Sequence, residues 1–349
     1  MTFGKNVAVS AVLIGLILVC SSSLHGDDKP PTGDQVLYPI SQFDPKLREY
    51  ACGYIGPMGL GAIATQFCSG TEFSEGMAAV QTFEGDRDLY GFIDLTGKVV
   101  IKPQFTRFKP FSQGLAVVCR KTEKLRRSWA VIDKRGKVIF AGQKHEINSF
   151  SDGLALVRTV GYIDTSGKVV LKLEDIKADW VGPFSQGLAR AKVDGKYGYV
   201  DKTGKMVIKP AYERAKEFKQ KLAAVRIDGK YGYIDPKGKV VIPAKYDRAD
   251  NFSEGLASVK SGKYYGYIDA GGKEVIECQY LRALEFSEGL GACELLTEKW
   301  VYIDRTGKTI ITGDDEWVYA DPFRGGAAKI GASRWVNKKG RVIWKPGQQ

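Results

Sequence analysis

Two residue types recur at fixed spacing in this 349-residue chain and could do chemistry, an aspartate and a cation. Asp94, Asp133, Asp164, Asp201, Asp235, Asp269 and Asp304, with Asn337 closing the series, each stand three residues before a glycine. Those glycines are Gly97, Gly136, Gly167, Gly204, Gly238, Gly272, Gly307 and Gly340, and Gly59 holds the same slot in an early copy. Lys98, Lys137, Lys168, Lys205, Lys239, Lys273, Lys308 and Arg341 come next. One aspartate per copy is what a four-residue turn needs: its side-chain oxygen starts the turn, and glycine ends it where φ must be positive. An active site would break the periodicity in one unit. The aspartates and glycines therefore read as structural turns, and the eight cations as a candidate binding rim. Stacked sheets would space the cations about 10 Å apart, beyond the Debye length of about 8 Å in physiological salt. They would act as separate weak contacts on an extended polyanion or acidic protein surface. The plainer alternative is that each lysine flanks its turn, partly neutralised by the aspartate four residues earlier.

Other chemistry is sparse. His25 and His145 are the two histidines, and no G-x-S-x-G, P-loop or H-E-x-x-H motif can be quoted. No catalytic residue, metal ligand set or cofactor is assigned, and a non-enzyme is expected. The segment 311–323, "ITGDDEWVYADPF", gathers Asp314, Asp315 and Glu316 as a candidate cation site, and 120–129, "RKTEKLRRSW", is a basic loop tip. Tyr231 and Tyr233 lie two apart on a predicted strand and so share a face. They are core if a neighbouring sheet covers them, and a sugar-stacking shelf if not.

Six cysteines include Cys20 in the N-terminal segment, leaving Cys52, Cys68, Cys119, Cys278 and Cys293. No C-x-x-C pair supports a zinc site. Cys52–Cys68 and Cys278–Cys293 are each close enough in sequence to pair, and separate buried thiols are the alternative. A formal net charge of +12 favours anionic partners, or else reflects lysines sitting in turns.

The N-terminus carries Lys5 and then an apolar run from Val7 to Val19, the length of a signal-peptide core and short for a bilayer span. Small and polar residues follow, with cleavage expected after Ser23 or Gly26. Residues 1–26 are read as a signal peptide and the product as exported: periplasmic, envelope-bound or secreted, with no transmembrane helix in the mature chain. Lipid anchoring at Cys20 is the disfavoured reading, because Leu18 and Val19 fit a lipobox poorly.

The elements that carry the turns repeat with a period of about 34 residues. A second anchor, F-S-[EQD]-G-L-A, begins at Phe73, Phe111, Phe150, Phe184, Phe218, Phe252, Phe286 and Phe323. In the unit "LAAVRIDGKYGYIDPKGKVVIP" the sequence predicts a strand over Leu222–Ile227, a tight Asp228-Gly229 turn, a strand over Lys230–Ile234, and a third over Val240–Ile242. Pro243 ends that strand on an edge where no N–H is needed. "LAAV" and "VVI" are apolar on both faces, so small sheets must stack on both sides. Residues 27–49 read as a linker with a decayed repeat starting near Phe43, 50–346 as the array, and 347–349 as a tail.

The pattern aromatic-Gly-Tyr-Ile-Asp-x-x-Gly-Lys-x-Val-Ile-x-Pro-x-Tyr, followed by Phe-Ser-Glu-Gly-Leu-Ala, resembles the bacterial WG (KWG) repeat over residues 50–346. The chain departs from it in having no Trp-Gly dipeptide: Tyr90, Tyr197, Tyr231 and Tyr265 take the Trp slot, while Trp129 and Trp300 keep Trp and lose the Gly. The resemblance implies an interaction array and brings no catalytic residues.

Nine turn glycines exceed the four to eight blades typical of a propeller. The expected fold is therefore all-β, with antiparallel meanders stacked as an open β-superhelix and a closed propeller as the alternative. The expected function is an exported, non-enzymatic scaffold binding an unknown protein or anionic polymer at the cell envelope. A carbohydrate- or cell-wall-binding module using the tyrosine slots is the alternative, and nucleic acid is not the expected partner.

Overall fold

Alternation along one short strand shows how the units stack. In Ala223–Ile227, Ala223 and Val225 join a buried cluster with Phe218 of their own unit and with Tyr199 and Ile208 of the preceding one. Ala224, between them, joins Tyr233, Ile242, Phe252, Val259 and Ile268, which reach into the following unit. Successive side chains of a strand point to opposite faces, so each sheet is buried on both sides, as its apolar run predicts.

The computed structural model describes residues 36–83, 88–121 and 127–347. The candidate signal peptide, Cys20, residues 27–35 and half of the basic loop tip lie outside them. Among the described residues there are eight sheets, all antiparallel meanders in chain order. A representative one runs Arg214–Ala215, Ala223–Ile227, Lys230–Ile234 and Val240–Tyr246. Ser253 and Leu256 exchange backbone bonds around Glu254 (φ 50°) and Gly255 (φ 81°), a two-residue hairpin with both central residues left-handed. The D-G hairpin of the representative sheet turns through Asp228 (φ 47°) and Gly229 (φ 80°).

Gly232 explains the glycine before Tyr233. The third strand bulges towards it, and a Cβ there would lie 2.4 Å from the Ile242 carbonyl oxygen. Val240–Tyr246 stands at the end of its sheet, and Pro243 sits within it, not at its end. A missing N–H blunts an edge strand against pairing with another chain. The prediction that "VVI" is buried on both faces is corrected by its edge position: Ile242 is 1% exposed, whereas Val240 and Val241 are 45% and 38% exposed.

The open superhelix is overturned: the array closes on itself. Tyr233 donates its hydroxyl to the Asp250 carbonyl in the next unit at 2.7 Å, and Tyr199, Tyr267 and Tyr302 repeat that step to Lys216, Leu284 and Asp321. Trp335 holds the same slot in the last unit, and its indole Nε1–H donates 3.2 Å to the Pro39 carbonyl. The Tyr38 hydroxyl returns 2.8 Å to the Arg324 carbonyl and 2.6 Å to that of Gly325. Tyr38, Ile40, Ile55, Ala327, Trp335, Ile343 and Trp344 bury one core across the junction. The molecule is a closed β-propeller of eight blades counted as hydrogen-bonded sheets.

The nine repeats fit because the first sheet is double. Its six strands, from Tyr38–Asp44 to Val99–Phe105, carry two units joined through the ten-residue strand Gly61–Gly70. That strand continues without a break where other units leave one residue between two strands, as at Asp247. Tyr38–Asp44 pairs with Glu49–Ile55, so the segment read as a linker supplies the first hairpin of the ring. The turn glycines record the circuit: a Cβ on Gly238 would meet Ile208 of the preceding unit at 3.2 Å, and one on Gly59 would meet the Ile343 carbonyl of the last unit at 2.1 Å.

Candidate interaction surfaces

A meander places alternate connections at opposite ends of its sheet. The F-S-[EQD]-G hairpins and the D-x-x-G-K turns therefore share one end of the propeller, and the D-G hairpins lie at the other. On the first end, the hairpins touch directly from unit to unit. Ser74, Ser112, Ser185, Ser253 and Ser287 each donate 2.6–2.8 Å to the carbonyl of the next unit's anchor phenylalanine. Glu254 accepts from the N–H of Glu288 at 2.6 Å and of Gly289 at 2.9 Å, and Glu75 does the same with Gln113 and Gly114. Gln113, Asp152, Gln186 and Gln220 continue the series, and Glu288 accepts from Gly325 and Gly326. In a ring the distance between equivalent points grows with radius, so these hairpins form the inner circle. Sequence reading saw the anchor but missed this handshake, because a hairpin alone already accounts for the motif.

The D-x-x-G-K turns form the outer circle. In all seven aspartate copies Oδ1 accepts from the backbone N–H two and four residues on, for Asp235 from Lys237 and Lys239 at 2.9 Å each. Asn337 does the same towards Lys339 and Arg341. Hydroxyls from Ser166, Thr203 and Thr306 add a third bond, the chief reason that Asp164, Asp201 and Asp304 are held below the usual carboxylate range. The aspartate oxygens thus serve backbone and form no ion pair with the lysine side chains, though their charge still couples to the lysine four residues on: Lys168, Lys205 and Lys308 each help to hold Asp164, Asp201 and Asp304 down. Lys98, Lys137, Lys168, Lys205, Lys239, Lys273, Lys308 and Arg341 are all exposed, and among the described residues none forms an ion pair.

The opposite end carries cations of a different kind. Lys109 pairs with Glu146 at 2.9 Å, Lys230 with Asp247 at 2.5 Å, Arg282 with Glu294 at 3.2 Å, and Lys216 with Asp250. A cleft of about 490 Å³ there is lined by Arg214, Arg226, Arg248, Tyr231 and Tyr265 beside Asp247 and Asp250. Lys216 also lines it; Arg226 pairs with Glu213 at 3.6 Å, whereas Arg214 and Arg248 form no ion pair among the described residues.

The remaining candidates are absorbed by structure. Tyr233 is 0% exposed, while Tyr231 is half-buried against the same core, so the pair is not an open stacking shelf. Trp129 and Trp300 are buried. Asp314 is gripped by Arg334 at 2.7 Å, which holds its carboxyl below the usual range; Glu316 also pairs with Arg334, and Lys299 with Asp315 at 2.9 Å. Among the described residues no carboxylate, histidine or cysteine group is arranged to hold a metal, and His145 is exposed. Neither Cys52–Cys68 nor Cys278–Cys293 is bridged, and burial pushes Cys52 and Cys293 up to about 12.

The repeat family described as "WG containing repeat" matches residues 90–121, 129–159, 176–197, 197–231, 231–265 and 265–293, more than half of the chain. The chain belongs to the WG-repeat family. This WG-repeat protein is also similar in fold to the crystal structure of a eukaryotic initiation factor, with a TM-score of 0.60 at 11% identity over 89% of this chain and 95% of that one. Looser likenesses, which carry no argument, are to BamB from Moraxella catarrhalis (TM-score 0.41, 10% identity, 80% of this chain and 91% of that one) and Kluyvelomyces marxianus Hsv2 (TM-score 0.37, 7% identity, 76% and 86%). No curated protein matches the chain.

Proposed function

We propose that this WG-repeat propeller is an exported, non-catalytic scaffold that holds an anionic partner at the cell envelope through its outer ring of cations. The observation that carries the reading is the contrast between the two ends. Among the described residues eight equivalent cations stand exposed without an ion pair at one end, beside Lys134 and Lys338, which pair with Glu75 and Glu288, while several at the other end are matched with carboxylates. Unpaired, periodically placed charges keep their attraction for a partner, and many such contacts add through multivalency. Export rests on the apolar run Val7–Val19 with its single preceding cation, Lys5. No described helix is long and apolar enough to cross a membrane. Tyr199, Tyr233 and Tyr267 are buried and spend their hydroxyls on neighbouring backbone, so the carbohydrate alternative rests on the half-buried slots, such as Tyr231 and Tyr265 beside the cleft at the other end.

The test is polyphosphate binding by the wild-type chain and by Lys205→Gln/Lys239→Gln/Lys273→Gln/Lys308→Gln. Salt-sensitive binding that weakens several-fold in the variant, with unchanged thermal unfolding, is expected. Equal binding by the two proteins, or no binding by either, would remove the cation ring as the interaction surface.

A further inference from the structure

The outer ring has nine places, and one is not cationic. In the first unit the turn reads Gly56-Pro57-Met58-Gly59-Leu60, with Gly59 at φ 80° and backbone bonds Gly59 N to Gly56 O and Gly56 N to Leu60 O. Gly97 and Asp94 make the same pair of bonds in the second unit, so the turn has the common geometry and Leu60 occupies the lysine slot. Met58 is 79% exposed and Leu60 68% exposed. They are the most exposed large apolar side chains at this end of the ring. Beside the neighbouring cations run the half-exposed valines of the edge strands, among them Val99 and Val100.

Two large apolar side chains on a tight turn, set in a circle of unpaired cations on one flat end of a disc, match the chemistry of an anionic bilayer surface. The cations meet the headgroups, and the apolar pair enters the boundary with the acyl chains. A soluble polyanion has no use for the apolar pair. We infer that this end of the propeller docks on an anionic lipid surface, with Met58 and Leu60 as the inserting residues. The inference rests on the cation ring proposed above. Phe43 and Tyr50, 54% and 66% exposed and stacked edge-on at 5.8 Å, flank the first hairpin at the opposite end and provide an internal control.

The experiment uses the chain from residue 27 onwards, since the ring closes within residues 36–347. Binding is measured to vesicles of phosphatidylcholine alone, to vesicles also containing phosphatidylglycerol, and to polyphosphate. Wild type should bind only the anionic vesicles. Met58→Ser/Leu60→Ser should weaken that binding about tenfold or more, as when two large apolar side chains leave an interface, and leave polyphosphate binding unchanged. Phe43→Ser/Tyr50→Ser should change neither. Polyphosphate binding without vesicle binding, or vesicle binding indifferent to Met58 and Leu60, overturns the membrane inference and leaves the cation ring standing. Loss of response to the lysine substitutions on both probes overturns the two together.

Discussion

Trp335 and Pro39 stand 296 residues apart and share a hydrogen bond of 3.2 Å from indole N–H to carbonyl. In six other units a tyrosine makes that step to the next unit, and Phe92 and Val131 hold the slot in the remaining two. The indole ring also lies 4.7 Å from that of Tyr38, within the core that spans the junction. Trp335→Phe should keep the packing and cost about 1 kcal/mol for the lost bond. Trp335→Ala should cost about 3–5 kcal/mol. Hydrogen exchange should then rise in Tyr38–Asp44 and Glu49–Ile55 as well as in the last sheet. A change confined to the last sheet would speak against the seam.

Asp235 holds its turn by accepting two backbone N–H bonds, and Asn337 performs the same task in the last unit. Asp235→Asn should therefore be nearly neutral, and Asp235→Ala should cost about 1 kcal/mol. Thermal unfolding of the two variants checks the difference. Equal losses would mean that the carboxylate charge, and not the acceptor oxygen, matters.

Glu254 reaches two N–H groups of the next hairpin. Charge-assisted bonds of this type contribute more than neutral ones, and Gln220 makes a single bond in the equivalent place. Urea unfolding should show Glu254→Ala less stable by about 1–3 kcal/mol, with Glu254→Gln between it and wild type. An alanine variant as stable as wild type would remove the inner handshake from the account.

Asp201 titrates below its ordinary value chiefly because of the Thr203 hydroxyl. A carboxylate whose folded pKa is depressed contributes stability above its unfolded pKa and loses it as pH falls through the folded one. Its contribution should thus be complete at neutral pH and fade only in strong acid, as for Asp164 and Asp304. Thr203→Ala should return the Asp201 pKa upwards in a carboxyl-carbon NMR titration. An unmoved titration would show that the hydroxyl is not the cause.

Much of this was legible in the sequence. The period, the D-x-x-G turn, the edge proline and the two buried faces of "LAAV" follow from local chemistry, and each copy confirms the others. Closure did not follow, because it depends on the small rotation between neighbouring sheets, which no single residue encodes. The seam was hidden further because its two halves have drifted from the repeat: Trp335 replaces tyrosine, and Tyr38–Asp44 carries none of the repeat signature. Counting nine turns misled for a physical reason, since Gly61–Gly70 runs on and joins two units in one sheet. The cation ring was readable as a row. That its lysines form no direct ion pair with these aspartates was not, since the turn aims each aspartate Oδ1 at backbone N–H groups.

The claim on which everything else depends is that the repeats close into a ring. Small-angle X-ray scattering of the chain from residue 27 onwards tests it most directly. A closed propeller of this size should show a radius of gyration of about 20 Å, the value for a compact chain, with a single-peaked distance distribution. A clearly larger radius, with the long tail of an extended spiral, would contradict the closed ring and with it the circular arrangement of the cations.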